Sequence, residues 1–194
     1  MKPMKNYREK DIFKKVFYHG TPLVSGELEP QKSRQIGIFM TPLEEVAKAY
    51  AGSSGRVVQT RIKPNARVLD ASCTCEYNNW HFPDANEWKR FLKVSTDYGI
   101  DSRRLNYEVA EDKPLCWEAV LDPFDGHGEN PILSLVLADI GYDIVLTSDF
   151  VGSVLGDVYK RFGPASCVGL RLFLDGKKEI PIAIVLNREA IETI

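Results

Sequence analysis

Segments typical of β-strands occupy both ends of this 194-residue chain, and no regular alternation of strand and helix connects them. Apolar and β-branched runs bounded by Gly, Pro or Asn predict strands at residues 16–19, 36–40, 56–62, 66–69, 142–146, 168–173 and 180–186. Residues 187–191 are interpreted as a tail that leaves the sheet. A parallel sheet would need a helix after each strand, so the pattern favours an α+β fold with a mostly antiparallel sheet.

The clearest helix signal follows the second predicted strand. Thr41 can cap a helix, Pro42 suits its first turn, and Glu44 completes a capping box. From Leu43 to Tyr50, apolar residues recur at positions i, i+3, i+4 and i+7, which places them on one face. We therefore predict a helix over residues 43–50.

Residues 70–130 differ in composition from the rest of the chain. They contain all three tryptophans, three of the four cysteines and many charged residues. We interpret them as a mostly helical insertion, with helices at 87–94 and 117–121, within a single domain of residues 1–194. A further apolar helix is predicted at 132–140.

Charge and hydropathy exclude some classes of protein. The formal net charge of −2 gives no overall attraction for nucleic acid, although a local basic patch would still be compatible with it. The first 15 residues are basic and polar and lack the apolar core of a signal peptide. No apolar run approaches the roughly 20 residues that cross a bilayer. We expect a cytoplasmic protein that does not enter a membrane.

The cysteines suggest a metal site only weakly. Cys73 and Cys75 form a C-x-C pair, and Cys116 with His81 or His127 could complete a ligand set. The paired C-x-x-C spacing of structural zinc sites is absent from the sequence. We expect reduced thiols and no bound metal.

Two pairs of residues are candidates for a binding site. His19 ends a predicted strand and precedes Gly20, which has no Cβ and lets a ligand approach the main chain closely. Phe39 and Tyr50 lie eleven residues apart, one on a strand and one near a helix end, where two rings could hold a flat heterocycle between them. Taken singly, each pair is explained better by a turn or by core packing.

Taken together, these segments resemble the ADP-ribosyltransferase superfamily, on its diphtheria-toxin and poly(ADP-ribose) polymerase side, the H-Y-E group. The run His19-Gly20-Thr21 matches the group's strand ending in His-Gly-Ser/Thr. The run from Gly37 to Met40, followed by Tyr50, matches its second motif in order and spacing, with Phe39 in place of the first tyrosine. The resemblance covers residues 16–69 and 132–194.

The resemblance implies a split antiparallel β-sheet core and NAD⁺ as co-substrate. It implies that His19 hydrogen-bonds the adenine-side ribose and that the Gly20 main chain pairs with the nicotinamide carboxamide. Tyr50, together with Phe39, would stack on the nicotinamide ring. The remaining members of the implied NAD⁺-binding set are Thr21 and Gly37. No metal is implied.

The chain departs from the group at its third residue. The group has a glutamate on the last motif strand, five positions before a closing polar residue, and counting back from Asn187 reaches Ile182. Without that carboxylate, elongation into a polymer is not expected, and a single transfer must take its base from elsewhere. Glu179 could serve in a shifted register, and the other candidates, apart from a carboxylate of the acceptor itself, are Glu108, Glu111 and Glu118.

The position of Ile182 leads to a prediction about strand register. Alternation along a strand places Ile184 and Leu186 on the same face as Ile182, and Ala183 and Val185 on the opposite face. A slip of one residue would exchange the two faces. In the predicted register, Ile182 would point into the pocket beside Gly20 and Tyr50.

The function implied is mono-ADP-ribosylation of a macromolecule, protein or nucleic acid, by a bacterial or phage toxin or effector that an antitoxin could control. An NAD⁺ glycohydrolase, in which water replaces the acceptor, would use the same pocket. A catalytically inactive module that binds a nucleotide or a partner is the alternative from a different class.

Overall fold

The computed structural model describes residues 12–26, 28, 37–70, 85–99 and 131–194. Over these ranges the chain is α+β, with two mostly antiparallel sheets and five helices. The helix predicted at residues 117–121 lies outside them, as does most of the insertion.

The first sheet has three strands in the order β1-β3-β7. These are β1 (Phe17–Thr21), β3 (Arg56–Ile62) and β7 (Ile191–Thr193), and both pairings are antiparallel. The predicted tail at residues 187–191 is therefore wrong. A 3₁₀ turn at Arg188–Ala190 redirects the chain so that its end pairs with β3.

The second sheet has four strands in the order β2-β6-β5-β4. These are β2 (Ile38–Met40), β6 (Glu179–Val185), β5 (Ile144–Phe150) and β4 (Val68–Asp70). β4 pairs with β5 in parallel, and the other pairings are antiparallel. Each of these strands overlaps a predicted one, and β5 runs four residues further than the sequence suggested.

The five described helices are α1 (Glu44–Ala51), α2 (Ala85–Asp97), α3 (Pro131–Asp139), α4 (Val151–Phe162) and α5 (Ala165–Phe173). The strand predicted at residues 168–173 is wrong, because this segment belongs to α5. Leu170 and Leu174 are buried, whereas Val168 and Leu172 are 62% and 75% exposed. The buried pair and the exposed pair are each spaced by four residues, which matches the period of a helix.

The capping box predicted at the start of α1 does not form. The Thr41 hydroxyl accepts a hydrogen bond from the Leu43 backbone N–H (3.2 Å), and the helix begins after Leu43 without a side-chain cap. Glu44 instead pairs with Lys48 (3.2 Å) one turn later. Thr41 is held outside the helix because its main chain bonds to β1.

Three apolar clusters hold these elements together. The first contains residues of both sheets, among them Phe17, Ile62, Ile38 and Val185, so the sheets pack face to face. The second lies between the outer face of the four-stranded sheet and helices α2 and α3. The third joins α1, α4 and α5 to Ile180 at the start of β6.

The two sheets are linked at one end by an antiparallel bridge between Tyr18 and Thr41. The Tyr18 N–H donates to the Thr41 carbonyl (2.8 Å), and the Thr41 N–H donates to the Tyr18 carbonyl (3.0 Å). Beyond this bridge, no backbone hydrogen bond joins β1 to β2 within the described ranges. We call the edge of β1 beyond this bridge the gap between β1 and β2, and α1 packs against β1 beside it.

Candidate functional site

His19 is fixed at this gap by a hydrogen bond across it. Its Nδ1 lies 2.7 Å from the Phe39 carbonyl oxygen on β2. A carbonyl can only accept, so Nδ1 carries the hydrogen and the neutral ring presents Nε2 as an acceptor. Burial lowers the His19 pKa below its usual 6.5, the bond to Phe39 acts against this, and the positive charge of Arg56 lowers the pKa further.

The peptide groups of Gly20 point into the gap. Along a β-strand, the N–H and C=O of one residue point to one side and those of the next residue to the other. Those of Tyr18 face β2, where they bond to Thr41, so those of Gly20 face the same way, beyond the bridge. Neither group is hydrogen-bonded to another described residue. One donor and one acceptor therefore lie side by side at the gap.

Gly20 also allows α1 to lie against β1. A Cβ at this position would stand 1.8 Å from the Ala47 carbonyl oxygen and 2.9 Å from the Ala51 nitrogen. These are backbone atoms of α1, so no side-chain rotation could relieve the overlap. Close packing, and not an unusual backbone angle, is the reason for glycine here.

Tyr50 comes one residue before Ala51, so α1 carries it to the same end of β1. Its ring packs against the third apolar cluster, and the Arg161 guanidinium lies over the ring, 5.6 Å from its centre. Burial raises the pKa of the Tyr50 hydroxyl, and the carboxylates of Asp157 and Asp149 raise it further, whereas Arg161 lowers it. The hydroxyl therefore keeps its proton at neutral pH.

Phe39 and Tyr50 do not form the expected sandwich. Phe39 pairs with Ile184 and packs against the second cluster, under α2 and α3, whereas Tyr50 packs against the third. The contribution of Phe39 to the gap is its carbonyl oxygen, which holds His19. The sequence spacing alone could not show on which face of β2 the ring would lie.

The alternation predicted along β6 is confirmed, and the position of Ile182 beside Gly20 and Tyr50 stays a prediction. Ile182, Ile184 and Leu186 pack against the second cluster, and Ala183 and Val185 belong to the cluster between the sheets. Ile182 faces Thr147 across the strand pair. Ile182 therefore contributes an apolar side chain to the face that Phe39 shares.

Glu179 lies on the opposite face of β6 from Ile182. It is the first residue of β6 and pairs with Phe150, and the odd-numbered residues of this strand alternate away from the face of Ile182. A catalytic role for Glu179 stays a prediction. Glu108, Glu111 and Glu118 lie outside the described residues.

Two further members of the implied binding set have structural roles. The Thr21 hydroxyl accepts from the Leu23 N–H (3.2 Å) and turns the chain at the end of β1. Gly37 has a φ of +150°, and a Cβ there would lie 2.6 Å from the Ile184 side chain. The Thr21 hydroxyl is engaged in this turn, and Gly37 has no side chain.

Sequence reasoning missed the charged residues around Tyr50. Asp149 lies on the part of β5 beyond the predicted strand, and Asp157 and Arg161 lie one turn apart on α4. The signal for α4 was present, since Val151, Val154, Leu155 and Val158 follow helical spacing. Gly152 and Gly156 obscured it.

A separate surface cavity of about 290 Å³ lies between α1 and α5. Its α1 lining includes Glu45 and Lys48, which form an ion pair (2.9 Å), and not the alanines that face Gly20. The charge of Glu45 offsets that of Lys48 at this cavity.

The structure adds little on metals and membranes. Within the described ranges, no three His, Cys, Asp or Glu side chains are grouped so that they could hold a metal ion. The candidate ligands Cys73, Cys75, Cys116, His81 and His127 lie outside those ranges. No helix of the described segments is long and apolar enough to cross a membrane.

Comparison with known proteins does not identify a family for this chain. No protein-family model, no curated protein and no solved structure matches the chain. A function has to be argued from the gap between the sheets and from the groups that face it.

Proposed function

We propose that this chain is a mono-ADP-ribosyltransferase that cleaves NAD⁺ and attaches one ADP-ribose to a macromolecular acceptor. The observation that carries the proposal is the pair of Gly20 main-chain groups facing the gap between β1 and β2. The nicotinamide carboxamide is planar and offers one acceptor and two donor hydrogens. A glycine main chain matches it with one N–H and one C=O, and the missing Cβ lets the ring come close.

His19 supports the proposal from the neighbouring position. Its neutral ring directs an acceptor, Nε2, towards ligand hydroxyls, and a ribose offers two of these. Because Nδ1 is already bonded to the Phe39 carbonyl, the orientation of the ring is set before a ligand arrives. Such preorganisation lowers the entropic cost of binding.

Tyr50 supplies the aromatic surface. The carboxylates of Asp157 and Asp149 act electrostatically on Tyr50. They would also attract the nicotinamide ring of NAD⁺, which is positively charged. Arg161 lies over one face of the tyrosine, so the nicotinamide would stack on the opposite face. Breaking the glycosidic bond would then depend on positioning and on stabilisation of the developing oxocarbenium charge.

Transfer of a single unit is the form of the activity that fits β6. Polymer growth needs a base for the hydroxyl of an ADP-ribose acceptor, and Ile182 offers none. An acceptor with a more nucleophilic group does not need that base. For other acceptors, a carboxylate from another strand would act as the base instead.

The test is release of nicotinamide from NAD⁺ by the purified chain, followed by chromatography, with Kd measured by calorimetry. His19→Ala removes one buried polar contact worth about 1–3 kcal/mol, a roughly 5- to 150-fold rise in Kd. Gln59→Ala, an exposed change on β3 of the same sheet, is the matched control and should leave Kd unchanged.

The outcomes separate the classes of function. Failure of the wild-type chain to bind NAD⁺ would overturn the proposal. Binding without nicotinamide release would identify an inactive nucleotide-binding module. Release without a mass increase on any protein or RNA acceptor would identify a glycohydrolase.

A further inference from the structure

The face of the sheet that lacks a carboxylate at Ile182 carries one on the adjacent strand. Thr147 of β5 pairs with Ile182, and Asp149 pairs with Ile180. Residues two apart on a strand share a face, so all four side chains lie on the same side of the sheet. Asp149 is thus a diagonal neighbour of Ile182, at a typical Cβ separation of about 7–8 Å.

Asp149 is also close to Tyr50, by independent observations. Ile180, its direct cross-strand partner, is fully buried in the apolar cluster against which Tyr50 packs. The charge of Asp149 raises the pKa of the Tyr50 hydroxyl, as expected for a carboxylate close to the ring. Asp149 is half-buried, so its charge is less screened than that of a surface residue.

We propose that Asp149 is the general base of the transfer reaction, supplied by β5 in place of the glutamate that β6 lacks. This inference rests on the proposed function. The bond between C1′ of the ribose and N1 of nicotinamide breaks, and its electron pair converts the pyridinium cation into neutral nicotinamide. A lone pair of the acceptor forms the new bond to C1′, and the acceptor proton passes to the Asp149 carboxylate and then to solvent.

The other carboxylates of the region are less suited to this role. Asp157 lies on α4, not on the sheet face that Ile182 shares, although it also acts on Tyr50. Glu179 lies on β6 and alternates to the opposite face. Asp149 alone of the three combines the face of Ile182 with proximity to Tyr50.

The experiment measures kcat for nicotinamide release and Kd for NAD⁺ in Asp149→Asn, Asp157→Asn and Glu179→Gln. Loss of a general base costs about 10²- to 10⁴-fold in rate. We expect a loss of this size in kcat for Asp149→Asn, with Kd within a few-fold of wild type. Glu192→Gln, an exposed change on β7, is the matched control and should keep full turnover.

Two further variants ensure that the result can be interpreted. Asp149→Glu keeps the carboxylate and should retain much of the turnover even if Asp149→Asn folds poorly. Adding Ile182→Glu to Asp149→Asn should restore turnover, since the two positions share a face. The wild-type pH profile should show a fall in kcat on the acidic side that Asp149→Asn lacks.

A wild-type chain that binds NAD⁺ and releases nicotinamide while Asp149→Asn keeps full kcat would overturn this inference and leave the proposed function standing. Equal losses in Asp149→Asn and Asp157→Asn, or a larger loss in Glu179→Gln, would also overturn it. A double variant that folds, binds NAD⁺ and remains inactive would contradict the argument that a carboxylate on this face is sufficient. A wild-type chain without turnover would overturn the inference together with the proposed transferase activity.

Discussion

Replacing Gly20 with alanine tests the contact that brings α1 against β1. The added Cβ would lie 1.8 Å from the Ala47 carbonyl oxygen, against the 3.4 Å at which ordinary contact begins. It would also lie 2.9 Å from the Ala51 nitrogen. Both obstacles are backbone, so the helix as a whole must retreat from the strand by more than an ångström.

The energetic cost follows from this displacement. Overpacking a well-filled site typically costs about 1–3 kcal/mol. We expect the upper end, about 3 kcal/mol, because no side chain can yield. For a chain of this size, that loss corresponds to a fall in Tm of roughly 6–12 °C. Movement of α1 also displaces Tyr50 from Gly20, so NAD⁺ binding should be lost as well.

The assay is urea unfolding followed by circular dichroism, with calorimetry for NAD⁺. Gly156→Ala is the matched control, because no atom lies within 4 Å of its added Cβ outside its own helix. Alanine is the better helix former there by about 1 kcal/mol, so stability should stay level or rise. A Gly20→Ala protein as stable as wild type would refute the packing argument. A destabilised but folded variant with unchanged NAD⁺ affinity would refute the placement of the site.

Three other predictions concern the same gap. Burial lowers the folded-state pKa of His19 below 6.5, so the stability that its neutral form contributes is present above pH 6.5 and declines as pH falls. His19→Gln should flatten the change in the free energy of unfolding between about pH 7.5 and 5, and an identical pH dependence in both proteins would count against the buried neutral ring. Tyr50→Ala should lower nicotinamide release more than Tyr50→Phe, because the proposed role belongs to the ring face; if the Phe variant is equally inactive, the hydroxyl is what matters. Intact-mass spectra of modified acceptors should show one ADP-ribose per site, and a ladder traced to a single acceptor residue would contradict this.

Sequence periodicity was sufficient for two elements. The alternation along β6 was predicted residue by residue, and both of its faces are buried, with Ala183 and Val185 between the sheets and Ile184 on the other side. The helix bearing Tyr50 was predicted because its apolar residues recur on one face, where Val46 and Ala47 are buried.

Other features were missed because they depend on partners distant in sequence. β7 has three residues, of which Glu192 and Thr193 are exposed, so only its hydrogen bonds to β3 define it as a strand. The cap at Thr41 failed because the main chain of this residue is engaged by Tyr18. The acceptor role of His19 depends on a carbonyl twenty positions away, about which side-chain patterns carry no information.

The members of the candidate site that lie on β1 and α1 could therefore be predicted from the sequence. The charged residues around them could not. His19, Gly20 and Tyr50 were identified from their motif spacing, and the structure brings them to one end of β1. Asp149 was not, because β5 was predicted to end before it. A polar residue at the end of a strand has the same sequence appearance as one in the following loop, and only the pairing with Ile180 shows that Asp149 belongs to the sheet.

The pairing of β2 with β6 makes the gap dependent on the whole chain. Phe39 lies opposite Ile184, so about 145 residues of chain must close before β2 has a neighbour in its sheet, whereas β1 and β3 are joined by a much shorter connection. A strand of three residues does not persist unpaired. Opening of β6 alone would therefore release the Phe39 carbonyl and, with it, the orientation of His19. Nucleotide bound between β1 and β2 would slow amide hydrogen exchange in β6 as much as in the strands it touches. A chain clipped between α1 and β6 that lost the C-terminal piece would keep His19, Gly20 and Tyr50 and would have no cleft.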